Sequence, residues 1–283
     1  MEISKILNNN TAVVIDDDQI EKIVVGKGIA FQKKKGDRIN LATVEKTFCL
    51  SSNTLNTKFQ DIIISLPIEQ IYVVEKIVNE IRLTLGKKIS DSIYISLSDH
   101  IHFSLLDYAK GIEVTNSILM DIIRFYPDEY KLGCRGIEII QEETGVLLSK
   151  DEAGFIALHI VNAQTQNATN TKNVYKATKI IEEILTIVEN YFDAVIDESS
   201  IIYFRLINHL RYFSMRIVGK DVFKDSKKDS ELLEILAVKY KNSYQCCLNI
   251  RSFIKVKYEV DIGCEELLYL TIHIQRAMYK EEE

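Results

Sequence analysis

The chain has 283 residues, 47% hydrophobic and 27% charged, with a formal net charge of −6. That is globular composition with enough apolar material for real cores, so it excludes wholesale disorder and a surface coated in positive charge. Two prolines and 11 glycines point to helices, and five cysteines without a CxxC pair argue against a disulfide framework or a four-cysteine zinc site.

Taken in order, the first 50 or so residues read as short strands. Ile3–Leu7 ends in Asn8-Asn9-Asn10, and Thr11–Ile15 is β-branched before three aspartates. Ile23–Val25, Ile29–Gln32 and Glu45–Leu50 follow, separated by Gly, Asp and Lys turns. This predicts a small antiparallel sheet with too little core to stand alone, and hence a dimer. Residues 51–58 are polar and read as a linker. From about 59 the spacing is helical, with Ile71, Val74, Ile77, Val78, Ile81 and Leu85 on one face and Gly86 as the stop. Pro127 predicts a helix start, 164–173 reads as a second linker, and helical spacing resumes at Ile180, Ile184, Ile187, Val188 and Tyr191. No leader and no membrane-spanning run of about 18 apolar residues is expected, which predicts a cytoplasmic chain.

The two helical units repeat one another. Residues 130–160 shifted by 114 positions match Asp151-Glu152 to Glu265-Glu266 and Leu158-His159-Ile160 to Ile272-His273-Ile274. Residues 92–103 shifted by 109 match Asp99-His100-Ile101 to Asn208-His209-Leu210. Four of the five histidines (His100, His159, His209 and His273) therefore occupy equivalent positions. Three readings suit such pairs: satisfied core histidines, metal ligation, and nucleophilic attack on phosphorus giving phosphohistidine. The HxH of His100 and His102 is a weak metal signal, because helical residues two apart point about 200° around the axis, and Arg211 replaces His102 in the second copy. No metal site is predicted, and His102 reads as incidental. Asp99 either holds a ring N–H of His100 or caps a helix; Asn208 takes its place beside His209.

In the β unit, Lys5, Asn8, Asn10, Lys27, Phe31, Gln32 and Lys33–Lys35 mix cations, amides and one aromatic. Such groups read single-stranded or looped RNA by stacking, base-edge bonding and phosphate contact. Gly26 and Gly28 permit close backbone approach, though neither belongs to a GxGxxG or P-loop pattern. The alternative is a solvated turn with Phe31 buried.

These residues also resemble a known family. MEISKILNNN, VVGKGIAFQKKKGD and VEKTFCL resemble the RNA-binding co-antiterminator domain of the BglG/LicT-type transcriptional antiterminators. The histidine units, with SDHI around His100 and NHL around His209, resemble that family's phosphotransferase-system (PTS) regulation domains. The resemblance spans essentially the whole chain. It implies an α+β multidomain fold: a dimeric antiparallel β-sheet RNA-binding domain at 1–57 and two all-α helical bundles at 58–170 and 171–283.

By that resemblance a dimer binds an mRNA antiterminator hairpin, so the overlapping terminator hairpin cannot form. Lys5, Asn10, Gly26, Lys27, Phe31 and Gln32 match the family's RNA-contact positions, with Lys27 standing where arginine is expected. His100 and His159 match histidines phosphorylated by the enzyme IIB domain of a sugar-specific PTS permease, which switches the protein off. His209 and His273 match those phosphorylated by the carrier HPr, which favours the active homodimer. Arg216 lies seven residues after His209, and the first unit has Asp107 in the matching place, where the family commonly shows a basic residue. A carboxylate there would repel a phosphorylated His100. The family implies no enzyme, no catalytic residue and no cofactor. Two rivals are a PTS-regulated DNA-binding activator, which the β-rich first 50 residues disfavour, and a metal-binding helical enzyme.

Overall fold

A computed structural model describes residues 1–86, 88–165, 171–220 and 227–279, without the side chains of 227–229. The chain divides into two units, Met1–Thr169 and Asn170–Glu283.

The period-two runs at the amino end form strands β1 (Glu2–Asn8), β2 (Thr11–Ile15), β3 (Glu21–Val25) and β4 (Lys46–Phe48), in the order β1-β2-β3-β4. All pairs are antiparallel, and β1 carries irregularities between Ile3 and Lys5 and between Ile6 and Asn8. Alternation gives the sheet two apolar faces. Ile3, Ala12, Val14 and Val24 are covered by Ile29, Ala30 and Ile39 of the β3–β4 connection. Leu7, Val13, Ile23, Val25 and Phe48 face helix α1 (Asn53–Ile63), whose Phe59 and Ile63 complete that core.

Two sequence expectations fail here for identifiable reasons. Residues 51–58 are not a linker: Ser52 caps α1 by accepting from Leu55 N, and Leu55, Phe59 and Ile63 form its i, i+4, i+8 stripe. Residues 29–32 are not a strand. Ile29 N, Phe31 N and Lys33 N donate three residues back to Gly26, Gly28 and Ala30. Gly28 and Gln32 take positive φ of 65° and 57°, so the segment curls into successive turns.

The first unit continues with α2 (Ile68–Leu85), α3 (Ser92–Ala109), α4 (Leu119–Phe125), α5 (Pro127–Thr144) and α6 (Lys150–Gln164). Gly86 ends α2 in the left-handed region at φ 58°, and Pro127 occupies the first turn of α5, both as the sequence predicts. The α5–α6 contact is close: a Cβ at Gly133 would lie 2.1 Å from the Ala153 carbonyl oxygen.

The second unit holds α7 (Thr171–Phe192), α8 (Ile201–Gly219), α9 (Lys227–Lys239), α10 (Lys241–Tyr258) and α11 (Cys264–Met278). The repeat is visible in the boundaries. Helices α5 and α10 begin at 127 and 241 and end at 144 and 258, and α6 and α11 obey the same shift of 114. Of the predicted second linker, residues 166–170 lie outside the described residues.

Candidate functional site

On α3 the buried stripe runs through Ile93, Leu97, Ile101 and Ser104. His100 stands at its edge, with 19% of its side chain exposed. On α6, Glu152 and His159 are separated by two helical turns and share a face. Packing α3 on α6 closes the first pocket. His100 Nε2 lies 2.9 Å from Glu152 Oε2, without the alignment of a hydrogen bond, and the Ser104 hydroxyl donates to the same oxygen at 2.9 Å. The His100 and His159 rings face each other with centroids 4.9 Å apart.

The second unit builds the same pocket from α8 and α11. His209 Nε2 lies 3.3 Å from Glu266 Oε2, and the His209 and His273 rings are stacked at 5.0 Å. Here a guanidinium joins the cluster, because Arg216 donates to Glu266 Oε1. Phe213 stacks on His209, whose Nδ1 is buried without a hydrogen bond.

Burial pushes the His159 imidazole well below its usual pKa, and the neighbouring His100 acts in the same direction. His273 is pushed down to about 4, first by burial, then by His209, Arg276 and Arg205. Both rings are therefore neutral near pH 7 and keep a lone pair, the form that attacks phosphorus.

The four repeat-matched histidines are thus brought together in two pairs. Their predicted supports are partly replaced. Asp99 is exposed in the middle of α3 and caps nothing. Neighbouring helical residues diverge by about 100°, so the carboxylate against His100 comes instead from Glu152 across the helix interface. Asn208 is likewise displaced by Glu266, whereas Arg216 does join its pocket. His102 lies apart, with Nδ1 2.9 Å from Gln70 Oε1 on α2. Sequence reasoning missed Glu152 and Glu266 as partners. The shared Glu-to-His spacing of seven on α6 and α11 was the signal that marks them. Among the described residues, no group of three or more His, Cys, Asp or Glu could hold a metal.

In the β unit, the hairpin turn and the 26–32 loop are laced together. Asn10 Oδ1 accepts from Gly28 N at 2.8 Å, Asn10 O from Gly26 N and Asn9 O from Ala30 N. This gathers Asn10, Lys27, Phe31 and Gln32 at one end of the sheet. Lys27 and Gln32 are exposed, and Phe31 is 58% exposed, so the buried-turn alternative for Phe31 is overturned. Gly26 is buried, and a Cβ there would lie 2.2 Å from Thr43 O, so it shapes the loop rather than presenting a group. Lys5 lies farther along β1, and its ammonium donates to Gln60 Oε1 of α1 at 3.4 Å.

A family model for the CAT RNA binding domain matches residues 1–57, and one for the PRD domain matches 75–163 and again 178–277. Among similar curated proteins, transcription antiterminator LicT of Bacillus subtilis is 40% identical over 98% of this chain and 99% of its own length. A beta-glucoside operon antiterminator of Dickeya chrysanthemi is 36% identical over 98% of this chain and 96% of its own. The crystal structure of GlcT CAT-PRDI aligns with a TM-score of 0.50 and 30% identity, covering 58% of this chain and 98% of that one. No described helix is long and apolar enough to cross a membrane.

Proposed function

The chain belongs to the BglG/LicT-type transcription antiterminators, and on that premise we propose how its sites divide the work. It is an RNA-binding regulator under PTS control and not an enzyme. Residues 1–57 bind an mRNA antiterminator hairpin as a homodimer, and the bundles at 58–170 and 171–283 read the phosphorylation state of the PTS. Phe31 stacks on an unpaired base, Lys5 and Lys27 contact phosphate, and Asn10 and Gln32 meet base edges or backbone. Gly26 holds the loop that carries them.

His100 and His159 accept phosphoryl from a sugar permease's IIB domain, and His209 and His273 accept it from HPr. In each transfer the donor's bond to phosphorus breaks, an N–P bond forms at the acceptor imidazole, and the acceptor's proton leaves. The product carries about two negative charges beside a buried glutamate, enough to bias helix packing. The observation that carries this reading is the recurrence of one arrangement in both bundles: two imidazoles about 5 Å apart, one of them against a buried carboxylate.

Transcription in vitro through a terminator preceded by an overlapping hairpin tests it. The protein raises readthrough, and PTS proteins with phosphoenolpyruvate change that level. Readthrough unaffected by the protein refutes the antiterminator mechanism, and readthrough indifferent to the PTS proteins refutes the regulation.

A further inference from the structure

The two pockets share their histidines and glutamates but not their cations. In the second, Arg216 pairs with the Glu266 carboxylate that also faces His209, so its guanidinium stands one carboxyl group away from that ring. Arg205 on α8 and Arg276 on α11 lie close enough for their charge to act on His273. The first pocket has none of the three. The same shifts that overlay the histidines put Ser96 opposite Arg205, Asp107 opposite Arg216 and Asn162 opposite Arg276. Glu152 is held by the Ser104 hydroxyl instead of a guanidinium. Before any modification, the second pocket therefore pairs its carboxylate with the guanidinium of Arg216, and the exposed Arg205 and Arg276 add positive charge toward His273, whereas the first holds Glu152 against the Ser104 hydroxyl, with Asp107 farther along the helix of His100, beside Lys110.

We propose that the second pocket is a phosphoryl seat, with Arg216 as the positioning residue that turns from Glu266 to a phosphoryl group on His209 or His273 and Arg205 and Arg276 flanking it, whereas the first pocket expels a phosphorylated histidine. The inference rests on the phosphoryl-acceptor reading above and adds a direction to it. A guanidinium matches phosphoryl oxygens in two-point geometry, and that of Arg216, half-buried, is already held at the pocket by Glu266. In the first pocket the same group meets Glu152, 6% exposed and bonded by the Ser104 hydroxyl, so like charges are forced together in a poorly solvated space. Phosphorylation thus tightens α8 against α11 and loosens α3 from α6.

The test is hydrogen exchange by mass spectrometry on the full chain, with and without phosphoryl groups installed by phosphoramidate at alkaline pH. This donor transfers its phosphoryl to imidazole with loss of ammonia and needs no protein recognition. Occupancy of each pocket is fixed beforehand by phosphorus NMR. The expected result is protection of α8 and α11 rising about tenfold and that of α3 and α6 falling by a similar factor, the size of one charge-assisted hydrogen bond made or one like-charge contact imposed.

Each variant is compared with its own unphosphorylated form, so a simple loss of stability cancels. R216Q abolishes the rise at the second pocket, and R216K restores part of it. R205Q/R276Q, which leaves the Arg216–Glu266 pair intact, reduces it. D107R lessens the fall at the first pocket. Changes of the same sign at both pockets, or a rise that survives R216Q, overturn the proposal. Because phosphoramidate bypasses the PTS, failure of HPr and the permease to label the chain would refute the functional reading without touching this measurement.

Discussion

Replacing Phe31 with alanine separates RNA binding from folding. The ring is 58% exposed and lies outside both apolar clusters of the β unit. Surface truncations of this kind change stability by no more than about 0.5 kcal/mol. Base stacking on an aromatic ring is worth about 1–3 kcal/mol per base, so losing it weakens binding roughly 5- to 160-fold per copy. Gly28 and Gln32, which set the loop's curl through their positive φ, are untouched by the change. The assay is fluorescence anisotropy with a labelled antiterminator hairpin at fixed salt, since phosphate contacts make affinity salt-dependent, with thermal melts of both proteins in parallel. A Kd within twofold of the parent refutes stacking by Phe31. A melt lowered by many degrees would instead contradict its exposed, unpacked placement.

Two further predictions follow from the pockets. The folded-state pKa of His159 is depressed and that of His273 falls to about 4, so the unfolded chain binds more protons than the folded one as pH drops. The stability this gives is complete above about pH 6.5, the ordinary histidine value, and is lost toward pH 4. Urea midpoints therefore fall between pH 7.5 and 5, and His273→Gln flattens that slope; an unchanged slope contradicts the burial of His273. Gly133→Ala drives a methyl into the Ala153 carbonyl and separates α5 from α6, costing on the order of 1–3 kcal/mol as other overpacked sites do. Chemical denaturation measures it, and a loss under about 0.3 kcal/mol would show that the helices part without strain.

Much of the fold was legible because its signals are local. The stripe Ile71, Val74, Ile77, Val78 and Ile81 marks α2, and all five are buried. The internal repeat anticipated that α6 and α11 would occupy equivalent stretches. The failures share a cause, which is that neighbours across elements leave no short-range trace. SSNTLNTK reads as polar because the apolar stripe of α1 is sparse, and only the sheet face it covers shows why Leu55, Phe59 and Ile63 belong to one helix. Asp99 was offered as the carboxylate for His100 because it is adjacent in sequence. Helical geometry turns it to solvent and brings Glu152 in from α6. Ile29–Gln32 looked like a strand from composition, but the backbone signs at Gly28 and Gln32 make it the loop that lifts Phe31 outward.

The central claim is that four imidazoles in two equivalent pockets take up phosphoryl groups. Phosphorylation-site mapping by mass spectrometry under alkaline conditions, on the full chain incubated with phosphoenolpyruvate, enzyme I, HPr and a complete sugar permease that carries its IIB domain, tests it most directly. The account predicts phosphoryl groups on His209 and His273 with HPr alone, on His100 and His159 when the permease is added, and none on His102, which faces Gln70 outside the pockets. Phosphoryl groups confined to His102, or found on no histidine at all, would contradict it.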